Sequence, residues 1–236
     1  MRVYGAANAR KNVLFLPEKV IAERYARLRA EVPPHVTIVA VSKFQPVEAV
    51  REAIAAGVTD FGENYVQEAR RKFEMFCPIT KHFIGHIQTN KAKAIASLFD
   101  VVQSVDRIEA GEALAKAASA LAKQMPVLVQ VNISPTQRFG CPPARAAELA
   151  EQLRAFESLR VDGVMAIGPI TNDRAAISRA FEEAAAIWRR IGGPVLSIGM
   201  SGDWREAVAA GSTMIRVGTT IFGPRPAPRA SKTPVM

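Results

Sequence analysis

Cysteine is scarce in this chain. Its two residues, Cys77 and Cys141, lie far apart and lack CxxC spacing. That argues against a disulfide framework and a cysteine-ligated zinc site, and it fits a reducing cytoplasm. No apolar run approaches the ~18 residues needed to span a bilayer, so no membrane partner is expected. The N-terminal MRVYGAANARKNVLFLPEKV carries basic residues and a brief apolar patch. It has neither a full apolar region nor a small-residue cleavage site, and it is not read as a signal peptide. A GxGxxG loop, an HExxH helix, zinc-finger spacing and RNP-type aromatic motifs are all missing.

What is present supports a sizeable core. Apolar residues make up 49% of 236 positions, within the range that one α/β barrel or one large sandwich fills. The net charge of +9 raises the question of nucleic acid. The basic residues, however, are scattered singly along helical stretches such as IAERYARLRAE and IWRRIGG. Solvated helix faces and affinity for small anions account for them, and no nucleic-acid partner is expected.

Short β-branched runs alternate with Ala-rich helical stretches, the pattern of a parallel sheet with crossover helices. After an amphipathic helix at about 12–31, strands are expected at 36–42, 59–63, 82–86, 101–105, 127–132, 161–167, 195–199 and 214–218. Helices should open near Pro46, Tyr65, Asn90, Asp106, Pro143, Asp173 and Asp203, several on residues suited to an N-cap or a first turn. Eight such units predict a single (β/α)₈ barrel domain over 1–236, ending in a loosely ordered Pro/Arg/Ser-rich tail at about 224–236. In that fold chemistry sits at the C-terminal strand ends.

The first strand, VTIVAVS, runs into Lys43. A lysine there is either a rim charge, with Glu63 as a candidate partner, or an amine placed in a site. Desolvation lowers a lysine's pKa and makes it a nucleophile toward aldehydes. At the far side of the expected barrel, SIGMSGDW and IRVGTTIFG bring Ser201, Gly218 and Thr219 to the ends of strands seven and eight. Such small residues form phosphate cradles in many barrels, or serve as plain turn residues. A phosphate site opposite a Schiff-base lysine describes pyridoxal 5'-phosphate. Arg216 shares a strand face with Met214 and Gly218. Facing a pyridine nitrogen it would keep that nitrogen unprotonated, because a guanidinium only donates; the alternative is an ion pair with an interior carboxylate. Asn64 and His86 are polar candidates around the ring or caps for the following helices. His82 and His86 match a helical metal pair in spacing, yet in a strand they sit ~13 Å apart, and no metal is expected.

The segments VAVSKFQPVEAV, DFGENYVQEA, HFIGHIQTNKAK, VNIS, VMAIGP and SIGMSGDWREAVAAGSTMIRVGTTIFGPR, in this order, resemble the pyridoxal phosphate homeostasis proteins, also called the YggS or proline-synthetase co-transcribed family. The resemblance covers Asn12 to Arg225 and implies a barrel similar to that of alanine racemase. It implies an internal aldimine on Lys43, phosphate held by Ser201, Gly218 and Thr219, Arg216 at the pyridine nitrogen, and Asn64 beside the cofactor. Two departures stand out. Arg138-Phe139-Gly140 replaces a motif that usually offers a lysine before a small residue and glycine, and Gly202 replaces an acidic or polar residue.

Two functions follow. The chain is expected to be a carrier that binds pyridoxal phosphate reversibly and buffers or delivers it to apo-enzymes, with no catalytic activity of its own. The alternative is an amino-acid racemase. That reaction needs acid/base groups on both faces of the cofactor, and in similar racemases the second is a tyrosine from another domain, which this chain lacks. Tyr65 is the one tyrosine placed near the mouth. Without the domain that builds racemase dimers, a monomer is expected.

Overall fold

The computed structural model describes residues 20–73, 76, 78–134 and 139–224. Its elements run α1 (Val20–Glu31), β1 (Thr37–Val41), α2 (Val47–Ala55), β2 (Asp60–Glu63), α3 (Val66–Phe73), β3 (Thr80–Phe83), α4 (Ala92–Leu98), β4 (Val101–Val105) and α5 (Ile108–Ser119). They continue with β5 (Met125–Val131), α6 (Ala146–Arg154), β6 (Leu159–Ala166), α7 (Arg174–Ile191), β7 (Val195–Ser197), α8 (Trp204–Ala209), β8 (Met214–Val217) and α9 (Thr219–Phe222). The strands are parallel and close in sequence order, β8 pairing back onto β1 through Val39 and Arg216. This is the expected (β/α)₈ barrel.

Apolar residues fill the ring between strands and helices. Phe61 packs on Phe73 and Phe83 on Phe99, all of them buried. Burying one such side chain contributes about 1.5–3 kcal/mol before the entropy of ordering it is counted.

Two expectations shift. The β3 strand spans 80–83 rather than 82–86, because Gly85 turns against the β2 loop. An ideal Cβ on Gly85 would fall 2.1 Å from the Asn64 carbonyl oxygen, so the crossing that sets Asn64 in place requires glycine. Of the expected capping residues, Asp173 accepts from the Ala176 N–H, whereas Asp203 turns its carboxylate to the Met200 N–H. Residues 12–19 of the expected first helix and 225–236 of the expected tail lie outside the described residues.

Between β5 and β6 the register slips by one residue at Val127/Leu128, and Gly163 absorbs the bulge at φ 143°. A Cβ there would sit 1.9 Å from the Val195 carbonyl oxygen. Gly163→Ala therefore combines backbone strain with a backbone clash. Its unfolding midpoint in urea should drop by the equivalent of about 2–3 kcal/mol; an unchanged midpoint would contradict this geometry.

Candidate functional site

The C-terminal ends of the strands open on a cavity of about 250 Å³. Lys43, Asn64, Ser201, Arg216, Gly218 and Thr219 all line it. Six residues spread over 177 positions of sequence thus meet at one place.

Lys43 follows β1, and its backbone is held on both sides. The Ser42 N–H donates to the Gly62 carbonyl (3.1 Å), and the Ser42 hydroxyl donates to Glu63 Oε1 (2.7 Å). Lys72, on α3, spends all three ammonium protons here: on the Ser42 carbonyl (2.6 Å), Glu63 Oε1 (2.7 Å) and Glu68 Oε2 (3.0 Å). On the other side of Lys43, the Phe44 N–H donates to Glu68 Oε2 at 3.0 Å. Phe44 holds φ 65°, a conformation that a bulky residue keeps only when its surroundings enforce it. Glu63 is fully buried, and burial raises its pKa despite the opposing pull of Lys72 and Ser42. Burial also pushes Glu68 upward, but the Phe44 N–H and Lys72 outweigh it and leave its pKa lowered. Glu63 was a candidate partner for Lys43; its ion pair is with Lys72 instead.

At the ends of β7 and β8, beside β1, the Ser201 hydroxyl oxygen accepts from the N–H groups of Gly218 (3.2 Å) and Thr220 (3.3 Å). With both contacts made, the hydroxyl keeps its own proton as a donor toward the cavity. Together with Thr219, these groups form a polar end suited to a phosphate. Thr220 belongs to the IRVGTTIFG loop read from the sequence for its backbone N–H groups, and a backbone N–H is what it contributes here.

Arg216 is 4% exposed and its hydrogen bonds go to the barrel wall. Its NH1 donates to the Ser197 carbonyl and hydroxyl oxygens, both at 2.7 Å, and NH2 donates to the Ala166 carbonyl at 2.8 Å. These bonds replace the interior-carboxylate pair considered from sequence. Burial lowers the Arg216 pKa to about 10, with Asp203 opposing, so the group stays charged at neutral pH. Met165 and Ile167, from the VMAIGP segment, supply apolar surface beside it. Asn64 Oδ1 is buried without a hydrogen-bond partner among the described residues, an acceptor left for a ligand.

The histidines separate. His82 turns into the barrel and meets Asp60, while His86 stacks on Phe139 at 4.2 Å. His86, Phe139 and Tyr65 line an adjoining cleft of about 340 Å³ that shares Asn64 with the first. Arg138 lies outside the described residues. Gly202, the other departure, gives its carbonyl to Arg174.

A lysine amine, a phosphate cradle, an arginine fork and an apolar slot in one cavity is the arrangement that pyridoxal phosphate requires, and the orphaned Asn64 oxygen adds a polar contact. Comparison with known proteins agrees with this chemistry. The family described as alanine racemase, N-terminal domain, matches residues 18–226. The pyridoxal phosphate homeostasis protein of Pseudomonas aeruginosa is 40% identical over 220 residues, covering 87% of this chain and 96% of that one. Its Escherichia coli counterpart is 38% identical over 207 residues, 82% of this chain and 87% of that one. PipY of Synechococcus elongatus, solved with pyridoxal phosphate bound, superposes with a TM-score of 0.80 at 37% identity, over 86% of this chain and all of PipY. An alanine racemase of Clostridium difficile shares the fold at a TM-score of 0.74 and 12% identity, and this chain spans 57% of its length. The chain belongs to the alanine racemase N-terminal domain family, among the pyridoxal phosphate homeostasis proteins.

Proposed function

We propose that this protein binds pyridoxal phosphate reversibly at Lys43 and takes part in pyridoxal phosphate homeostasis, buffering the cofactor and delivering it to apo-enzymes. Pyridoxal phosphate bound in the cavity would supply an aldehyde, and Lys43 is the amine that would hold it there. Ser201, Gly218 and Thr219 hold the phosphate. Asn64 and Arg216 meet the ring, and the Arg216 fork keeps protons away from the pyridine nitrogen.

The observation that carries this reading is the lining itself: among its described residues, Lys43 and Arg216 are the only ionisable side chains. Racemisation needs a proton carrier on each face of the substrate, and Tyr65 lines the neighbouring cleft instead. The whole chain acts as one barrel domain and as a monomer in the cytoplasm. The discriminating experiment loads the protein with pyridoxal phosphate, adds L- and D-amino acids in D₂O, and follows the α-proton by NMR. No Lys43-dependent exchange is expected, and the loaded protein should activate a cofactor-free aminotransferase. Exchange at a catalytic rate would make the chain a racemase.

The cradle has its own signature. Ser201→Ala removes a donor to the phosphate and strips the Gly218 and Thr220 N–H groups of their acceptor. One hydrogen bond to a charged group is worth about 1.5–3 kcal/mol, so affinity should fall roughly ten- to a hundredfold. Pyridoxal without the phosphate should bind the variant and the parent alike. An equal loss for both ligands would place the phosphate elsewhere.

A further inference from the structure

Arg216 does not stand alone inside the barrel. The Ser197 hydroxyl donates to Gln103 Oε1 at 2.7 Å; Gln103 Nε2 lies 2.9 Å from His82 Nδ1 and 3.2 Å from Met214 Sδ; His82 Nε2 lies 3.0 Å from Asp60 Oδ1. Arg216, Ser197, Gln103 and His82 are each at most 4% exposed. These residues come from β8, β7, β4, β3 and β2, so the contacts cross the barrel lumen from the cavity to the first residue of β2.

The direction of the protons in this chain follows from its Arg216 end and from the Ser197–Gln103 contact. A guanidinium only donates, so the Ser197 hydroxyl oxygen accepts from Arg216, and its own proton goes to Gln103 Oε1. The Gln103 carbonyl therefore faces Ser197 and its amide nitrogen faces His82. That nitrogen donates, so His82 Nδ1 must accept, and the ring proton sits on Nε2, pointing at Asp60. The series ends on a carboxylate. Burial raises the Asp60 pKa, but the hydrogen bonds from His82 and Thr59 outweigh it and leave it lowered. Five residues share one polarity, and in a buried setting such bonds reinforce one another.

We propose that Asp60, His82, Gln103 and Ser197 form a one-directional hydrogen-bond chain that positions Arg216 for the pyridine nitrogen of the bound cofactor, making His82 and Gln103 positioning residues that act on the ring without touching it. The proposal rests on the pyridoxal phosphate reading above. A second proton on His82 would set Nδ1–H against the Gln103 amide. Rotating that amide would then turn its NH₂ toward Ser197 and reverse the polarity of the chain. The charged or titratable groups around the two ends are Asp60 with Tyr25 and Arg29 beyond it, and Asp203 near Arg216.

The test follows the visible absorption of the Lys43-bound cofactor against pH in the parent, Ser197→Ala, Gln103→Met and Gln103→Glu, with thermal unfolding measured alongside. In the parent the band should hold steady across neutral pH, because the ring nitrogen stays unprotonated. Ser197→Ala and Gln103→Met should let that nitrogen titrate, moving the band's pH response by roughly one unit, the scale of one lost hydrogen bond to a charged group. Gln103→Glu should restore the parent's response, since its carboxylate also accepts from the Ser197 hydroxyl. A merely structural role would lower the melting temperature and leave the band of the folded protein unmoved, and that result overturns the proposal. If Gln103→Met does not fold, Ser197→Ala decides alone, since it removes only a hydroxyl and leaves the Ser197 carbonyl contact. Failure of the parent itself to take up the cofactor on Lys43 would overturn the function proposed above, a separate outcome from parent-like spectra in the variants.

Discussion

Lys43→Ala should abolish borohydride-trapped attachment of pyridoxal phosphate, taking the adduct from near-stoichiometric to none. The rest of the cavity should survive this change, since Ser201, Gly218 and Arg216 come from the β7 and β8 ends and hydrogen-bond to one another and to the barrel wall. The variant should therefore still bind the phosphate end weakly and reversibly, while the mass increase after reduction disappears. Lys43→Arg gives the same result despite keeping its charge, because a guanidinium does not add to the aldehyde under these conditions. Peptide mapping of the reduced parent should place the label on Lys43. Undiminished labelling of Lys43→Ala on another lysine would assign the amine wrongly.

The second large effect lies behind the site. Lys72→Met keeps the length of the side chain and removes the ammonium, leaving Glu63 buried without its counter-charge. Breaking one partner out of a buried pair costs about 3–5 kcal/mol, much of a typical domain's stability. Its pH dependence has a definite sign. A carboxyl whose folded pKa is raised keeps its proton in the folded state where the unfolded chain has released it. The contribution of Glu63 to stability is thus lost as pH climbs from the ordinary carboxylate range through its raised value. Removing Lys72 raises that value further, so the deficit should be larger at mildly alkaline than at mildly acid pH, as read from urea midpoints. Adding Glu63→Gln to Lys72→Met should recover part of the loss and flatten the dependence. A deficit that does not change with pH would mean that Glu63 is not the group left stranded.

The barrel was legible because its signal is repeated: eight apolar runs, each followed by a helical stretch, leave few other architectures. That the six candidate residues would gather at one cavity was legible for a related reason. Strand ends and small-residue loops mark the mouth of such a barrel, and Lys43, Asn64, Ser201, Arg216, Gly218 and Thr219 all occupy it. What the sequence does not announce is support. Lys72 reads as one more basic residue in QEARRKF, and only folding turns it under the Lys43 loop. Gln103 and Ser197 sit in strands as minor polar interruptions, and their meeting across the lumen depends on barrel closure. The Glu63 partnership illustrates the limit. Proximity in an expected mouth suggested Lys43, but the buried Glu63 carboxylate takes its counter-charge from Lys72, whose ammonium hydrogen-bonds Ser42, Glu63 and Glu68.

Phe44 also bears on how this chain tolerates change. Most positions beside a functional lysine accept what is similar in size and reject what is small. Here the backbone sits at φ 65° and the ring is about half exposed, so shape matters less than torsion. In a saturation library the usual ranking at this position should invert. Glycine and asparagine, which occupy that region at little cost, should rank above valine and isoleucine, whose branched Cβ does not. A site chosen by hydrophobicity in most strand-to-helix turns is chosen at residue 44 by handedness.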